Sequence, residues 1–372
     1  MRVVVAPDKF KGSLTAVEAA EAMAAGVRDV VDARVDRCPV ADGGEGTLDV
    51  LLAAGGRRID VEVTGPLSEP VAAHYVVLDD RAYVESARAC GIEYVDPDPR
   101  TALRAHTHGV GQLVRHAVEH GAHGVVLTVG GTASTDGGAG MLRALGATIH
   151  DARGNPVELG GGALTSVATV DLTEVRRLLT GVDLKVATDV TNPLLGPYGA
   201  AAVFGPQKGA GAAEVRHLEA GLRAWADALT RAGAREITEV PGAGAGGGVA
   251  GAAIALGAEV ESGFELVAAV TGVADAVRGA DLVITGEGSL DAQSLAGKAP
   301  AGVAELARRA GVPVAAVAGR IVLPPDDLTT AGITAWRALV DDAVSSEDAL
   351  RRAAELLRAA TASVVRSMRA YG

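Results

Sequence analysis

Five short segments of this chain gather carboxylates, lysines and hydroxyls among glycines, and each follows an apolar run. In open α/β sheets small ligands bind at the carboxyl edge of the strands, so these segments are the candidates for chemistry. The first is Pro7-Asp8-Lys9-Phe10-Lys11-Gly12-Ser13. Its lysines can hold a phosphate or a carboxylate, and Ser13 is placed to cap the following helix, whose N-terminus favours an anion. In the second, Pro39 to Thr47, Gly43 and Gly44 permit close backbone approach, while Asp42 and Glu45 can hold a metal or position a hydroxyl.

The third segment runs from Gly130 to Met141 and is the richest in glycine. Backbone N–H groups in such a loop can cradle a polyphosphate, with Asp136 and the hydroxyls adding contacts to phosphate or magnesium. Asp189 and Asn192 lie in the fourth, which leads soon to Lys208. An Asp and an Asn beside a Lys are the groups that phosphoryl transfer uses. The fifth, Ile284 to Ser294, carries Gly286, Glu287, Ser289 and Asp291, with Gly297 and Lys298 just beyond. Two carboxylates and a lysine at a strand end suit acid–base or metal roles.

Two patterns imitate known motifs. Gly242 to Gly248 contains Gly-x-Gly-x-x-Gly, but the strand before it is weak and Pro241 intervenes, against a dinucleotide turn. His116-Ala117-Val118-Glu119-His120 has the spacing of an inverted zinc-peptidase motif, yet it reads more simply as a solvated helix face. No Walker A loop is present, since Gly297-Lys298 is followed by Ala299.

The elements that must position these loops alternate. Strand-like Val3 to Val5 and Ala33 to Val40 are separated by a helical stretch from Thr15 to Val30, and a further helix runs from Glu45 to Ala54. The C-terminal part repeats the pattern, with strands at Asp281 to Thr285, Val312 to Ala318 and Ile333 to Leu339 and helices at Ala299 to Ala310 and Asp348 to Arg369. Alternation of this kind predicts βαβ units and a parallel sheet. Between them, Ile59 to Val63, Ala72 to Leu78 and Ala82 to Val84 read as a meander. The expected fold is therefore two α/β domains: a discontinuous, doubly wound, flavodoxin-like parallel-sheet domain (1–63 and 275–372) and an inserted α/β domain (64–274), with the active site in the cleft between them.

Composition excludes several classes. A formal charge of −12 argues against a binder of nucleic-acid backbones. Neither a signal-peptide start nor an apolar run of membrane-spanning length occurs, so no membrane partner and a cytoplasmic location are expected, as monomer or homodimer. Two cysteines, Cys38 and Cys90, give no disulfide framework.

Taken together, the segments Ala6 to Leu14, Pro39 to Thr47, Gly130 to Leu142, Thr188 to Ala210, Pro241 to Gly248 and Asp281 to Pro300 resemble the glycerate kinase type 1 family. The resemblance implies transfer of the ATP γ-phosphoryl group to D-glycerate with Mg2+, at the 2-hydroxyl, giving 2-phosphoglycerate. Under it, Asp189 or Asp42 serves as base or orienter, and Lys208 and Lys298 are cations on the transferring phosphate. Substrate contacts fall to Asp8, Lys11, Ser13, Glu45, Asp291 and Arg320, and nucleotide contacts to Gly130, Gly131, Thr132, Ser134, Thr135, Gly137, Gly138, Asn192 and Gly286. Asp136, Asp189 and Glu287 are the metal candidates. Lys9 stands where the family often has Ser, Ser289 where it has Arg, and Ala292 where it has Gly, which moves the duty on the substrate carboxylate to Lys9, Lys11 or Arg320. The alternatives are attack by the 3-hydroxyl, an NAD-dependent hydroxy-acid oxidoreductase built on the glycines of 242–248, and a non-enzymatic anion-binding protein.

Overall fold

A computed structural model describes residues 1–292, 294–295 and 298–370 of the chain. They form two compact units, one of Met1–Asp42, Asp49–Ala54 and Gly263–Gly372, the other of Gly43–Leu48 and Gly55–Ser262.

In the first unit the all-apolar run Val3–Val5 is buried on both faces, as the central strand of a parallel sheet requires. That strand, Arg2–Pro7, lies between Arg34–Arg37 and Leu282–Gly286, and Val314–Ala318 and Ile333–Ala338 complete a five-stranded sheet whose pairings are all parallel. Counted along the chain, the spatial order is 2-1-3-4-5, the flavodoxin-like order. Helix Ala16–Arg28 begins with a capping box in which the Thr15 hydroxyl accepts from Glu18 N (3.2 Å) and the Glu18 carboxylate accepts from Thr15 N (2.8 Å). Ser13 is therefore not the cap; its Oγ donates to the Phe10 carbonyl at 3.0 Å, closing the preceding turn. The same helix packs on Ala353–Ala370 so closely that a Cβ at Gly26 would stand 2.3 Å from Arg358 O.

The second unit holds a six-stranded sheet in the order Glu259–Glu261, Asp183–Ala187, Gly124–Thr128, Arg81–Glu85, Pro70–Leu78, Arg57–Thr64. Its first four strands are parallel and the last two antiparallel. The expected border at residue 63 falls inside Arg57–Thr64, which pairs throughout with Pro70–Leu78 and so belongs to this sheet. Aromatics are few, and the core is valine, leucine and alanine around Trp225 and Tyr75. An unforeseen hairpin, Thr148–Asp151 with Val167–Asp171, covers part of it, and the expected C-terminal helix is interrupted into Ser346–Arg351 and Ala353–Ala370. Among the described residues no helix is long and apolar enough to cross a membrane.

Candidate active site

A 2-1-3-4-5 sheet reverses direction between its first and third strands, and the loops leaving them diverge to open a crevice. Here those strands are Arg2–Pro7 and Leu282–Gly286, and the residues just past them are Asp8 and Glu287. Backbone hydrogen bonds fix the edges: Asp8 N donates to Gly286 O (2.8 Å) and Gly319 N to Glu287 O (3.0 Å). The chain leaving Arg34–Arg37 stays alongside, with Cys38 N on Val5 O (2.8 Å) and Val40 N on Pro7 O (3.0 Å), and so delivers Asp42 to the same edge.

Three carboxylates thus act on one another. Burial pushes Asp8 up to about 7; Lys9 opposes the shift and Asp42 and Glu287 reinforce it, while the Lys9 backbone N–H donates to its carboxylate at 2.6 Å. Glu287 is raised as well, first by burial, with Asp42 and Asp291 adding and Ser294 and Lys298 opposing. Its Oε1 is buried without a hydrogen-bond partner. Lys298 stands at the N-terminus of helix Ala299–Ala310. Gly286 has a steric reason to be glycine, since a Cβ would meet Val317 O at 1.8 Å. Asp291 and Ser294 bond to each other's backbone N–H, and Lys11 is exposed on the turn. Gly297 lies outside the described residues.

In the second unit, three candidate loops leave the carboxyl ends of parallel strands. Gly130 is half-buried and Gly131 exposed, and Thr132 then turns inward. A Cβ on Gly130 would come within 3.0 Å of Gly44 Cα, so the Gly43–Leu48 segment lies against this loop. Glu85, buried at the end of Arg81–Glu85, holds that segment through Gly46 N (3.3 Å) and Leu48 N (3.4 Å). Lys208, 4% exposed, reaches up beneath the loop, donating to Ser134 O and Thr132 Oγ1. Burial lowers its pKa to about 8 and, among the described residues, no ion pair forms with it. Asp189 is half-buried just beyond Asp183–Ala187, and the Asn192 amide donates to Tyr198 O (2.8 Å).

Asp136 departs from its expected role as a metal ligand. It is fully buried, with Oδ2 accepting from Thr107 N (2.9 Å), Thr107 Oγ1 (2.9 Å) and Gly140 N (3.1 Å), and Oδ1 from Gly138 N (3.1 Å). A carboxylate so occupied organises the loop. Among the described residues no three acidic, histidine or cysteine side chains form a metal set. The hydroxyls of Thr132, Ser134 and Thr135 are buried under the loop, leaving the backbone as its ligand-facing surface. Glu45 is exposed. Gly242–Gly248 follows no strand and forms a 3-10 turn into helix Val249–Ala255; it packs on the loop, with Gly137 N donating to Gly247 O (3.0 Å), and lacks the frame of a dinucleotide turn.

The profile of the glycerate kinase family matches residues 3–369. The chain belongs to the glycerate kinase family. A glycerate kinase of Bacillus subtilis (strain 168) is 41% identical over 374 residues, covering 99% of this chain and 98% of its own. A glycerate 2-kinase of Escherichia coli (strain K12) is 42% identical over 326 residues, 86% of each chain. A crystal structure of a provisionally named glycerate kinase 2 from Salmonella typhimurium LT2 superposes with a TM-score of 0.85 at 39% identity, covering all 100% of this chain and 98% of that one. Family membership makes the protein a phosphotransferase with an alcohol acceptor.

The fold also bears on the position where the family often has Arg and this chain has Ser289. Strand Ser289–Leu290 pairs with Arg320–Ile321, and Arg320 Nε donates to Ser289 Oγ at 2.9 Å. A guanidinium is thus carried to position 289 from the neighbouring strand. Two residues escaped the reading of the sequence: Glu85, which looks like an ordinary strand end in Tyr-Val-Glu-Ser, and Thr107, whose hydroxyl also accepts from Met141 N (2.9 Å).

Proposed function

We propose that the protein transfers the γ-phosphoryl group of ATP to the 2-hydroxyl of D-glycerate, giving 2-phosphoglycerate and ADP. The observation that carries this reading is the carboxylate set Asp8, Asp42 and Glu287 at the switch point of the first unit's sheet, where Asp8 is held near pH 7. A general base works best when its pKa lies near the working pH.

Asp8 is the better base than Asp189 or Asp42, because its burial holds it at about 7. It takes the proton of the glycerate hydroxyl as that oxygen attacks the γ-phosphorus in line and the bond to the ADP oxygen breaks. Asp42 and Asp189 then orient rather than deprotonate. Lys208 and Lys298 stabilise charge on the phosphoryl oxygens, and backbone N–H groups at Gly130 and Gly131 bind the polyphosphate. Arg320, with Lys11, binds the substrate carboxylate, the contact with Ser289 setting the direction of the guanidinium.

The residues fit Mg2+. They are hard oxygen donors, and Glu287 offers a buried Oε1 with no hydrogen-bond partner among the described residues. Magnesium at Glu287 and Asp42, completed by phosphate oxygens and water, would neutralise charge on the transferring group.

The test is a coupled assay with ATP, Mg2+ and D-glycerate, followed by enolase and pyruvate kinase with and without phosphoglycerate mutase. Pyruvate formed without the mutase supports the 2-phosphate. A strict need for the mutase would establish the 3-hydroxyl instead, and no ADP release would remove the reading altogether.

A further inference from the structure

A cavity of about 750 Å3 in the second unit shares no lining residue with the glycine loop. Among the charged side chains on its wall, Arg104 and Arg143 are cations and Glu158 is the single carboxylate. Arg143 is anchored by one N–H to Val157 O (2.7 Å), which leaves the rest of its fork for a ligand. His106, His108 and His217 complete the polar wall.

The His106 imidazole is arranged to donate. His108 N donates to His106 Nδ1 (3.4 Å), so the His106 proton sits on Nε2 and points at Ser68 Oγ, 3.0 Å away. Ser68, having accepted, keeps its own O–H for whatever enters the cavity. It does so from a left-handed backbone at φ 81°, an unusual conformation for a non-glycine residue and one that recurs at binding sites. His108 Nδ1 is buried with no hydrogen-bond partner. Burial lowers both His106 and His108 below the ordinary imidazole range, so the positive charge in the cavity comes from the arginines.

We propose that this cavity binds a small phosphorylated acid, with the phosphate on Arg104, Arg143 and Ser68, at a site separate from the one that performs phosphoryl transfer. Guanidinium forks match phosphate oxygens, and a lining with more cations than anions favours a dianion. His106 and His108 flank Thr107, which holds Asp136, so the site adjoins the residues that brace the glycine loop.

The experiment is calorimetric titration of the full chain with 2-phosphoglycolate, and in parallel with citrate as an acid without phosphate. Phosphoglycolate should bind the parent protein, bind Arg104→Glu roughly tenfold more weakly, and bind Ser68→Ala more weakly as well. Binding should persist when the phosphoryl-transfer site is filled with ATP and Mg2+. Should Arg104→Glu fail to fold by circular dichroism, Ser68→Ala decides, since it removes only an exposed hydroxyl that the proposal gives to the ligand. Absence of binding to the parent, binding by both cavity variants as tight as the parent's, or abolition of binding by ATP and Mg2+ would overturn the site. Citrate binding as tightly as phosphoglycolate would overturn the ligand class.

Discussion

The two sheets of this protein treat their buried carboxylates in opposite ways. In the second unit the strands follow one another across the sheet without reversal, and Asp136 is met by four donors, two from Thr107 and two from the loop it supports. In the first unit the order reverses, and Asp8 and Glu287 come to the reversal with few donors and two neighbouring negative charges. A buried polar group that is fully paired is scaffold, whereas one left under-paired stays in place only if function requires it. Under the proposed function, Asp8 and Glu287 are the reagents, and Asp136 braces the glycine loop of its own unit.

The largest effect should come from Asp8→Asn. The amide keeps shape and hydrogen bonding but cannot take a proton, so turnover in the coupled assay should fall by about 10²- to 10⁴-fold with the protein still folded. Turnover within tenfold of the parent would return Asp8 to a structural role and leave the comparison without its active half.

Lys208→Met comes next. If Lys208 is a cation on phosphate, turnover should drop roughly 100-fold while stability changes by less than about 1.5 kcal/mol, since a buried charge without a carboxylate partner is removed along with two hydrogen bonds. A drop in thermal stability at unchanged turnover would make it a stitch in the loop and assign the whole loop to the frame.

The same two groups set a pH profile. Asp8 at about 7 must lose its proton to act, and Lys208 at about 8 must keep its own, so kcat/KM should be bell-shaped with its maximum between the two. Asp8→Asn should abolish the acid limb, and Lys208→Arg the alkaline one. Stability carries a sign of its own. Because the Asp8 pKa is raised from 3.8 to about 7 on folding, the folded state holds the proton more tightly. That contribution is complete below pH 3.8 and is lost as pH rises through 7, a fall that Asp8→Asn should lack in denaturant titrations.

Much of this arrangement is legible in the chain itself. Apolar runs ending in proline or glycine and then an acid, as at Ala6-Pro7-Asp8 and Thr285-Gly286-Glu287, mark strand ends because strands of a parallel sheet are buried on both faces and must stop where polarity begins. What cannot be read is the direction a side chain takes after the strand ends. Asp42 and Asp136 both stand beside a glycine pair, yet Asp136 turns inward because Thr107, twenty-nine residues earlier, offers it an N–H and a hydroxyl. The Thr148–Asp151 hairpin is hidden for a related reason: its strands are short and half-polar and gain their order from a partner across a turn.

Asp136→Asn should have the smallest effect on rate and the clearest one on stability. The amide oxygen can take the place of Oδ2 and keep the donors of Thr107 and Gly140, but its NH2 then faces Gly138 N, donor against donor. One charge-assisted bond is lost and one buried N–H is left unpaired, about 2–3 kcal/mol together. For a protein of this size that lowers Tm by roughly 3–4 °C. Turnover below the transition should stay within about threefold of the parent, since the loop backbone is loosened rather than removed. Asp8→Asn and Asp136→Asn would then form a double dissociation, rate without stability and stability without rate. A large loss of turnover in Asp136→Asn at a temperature where it is folded would place Asp136 among the reagents and dissolve the division between the two sheets.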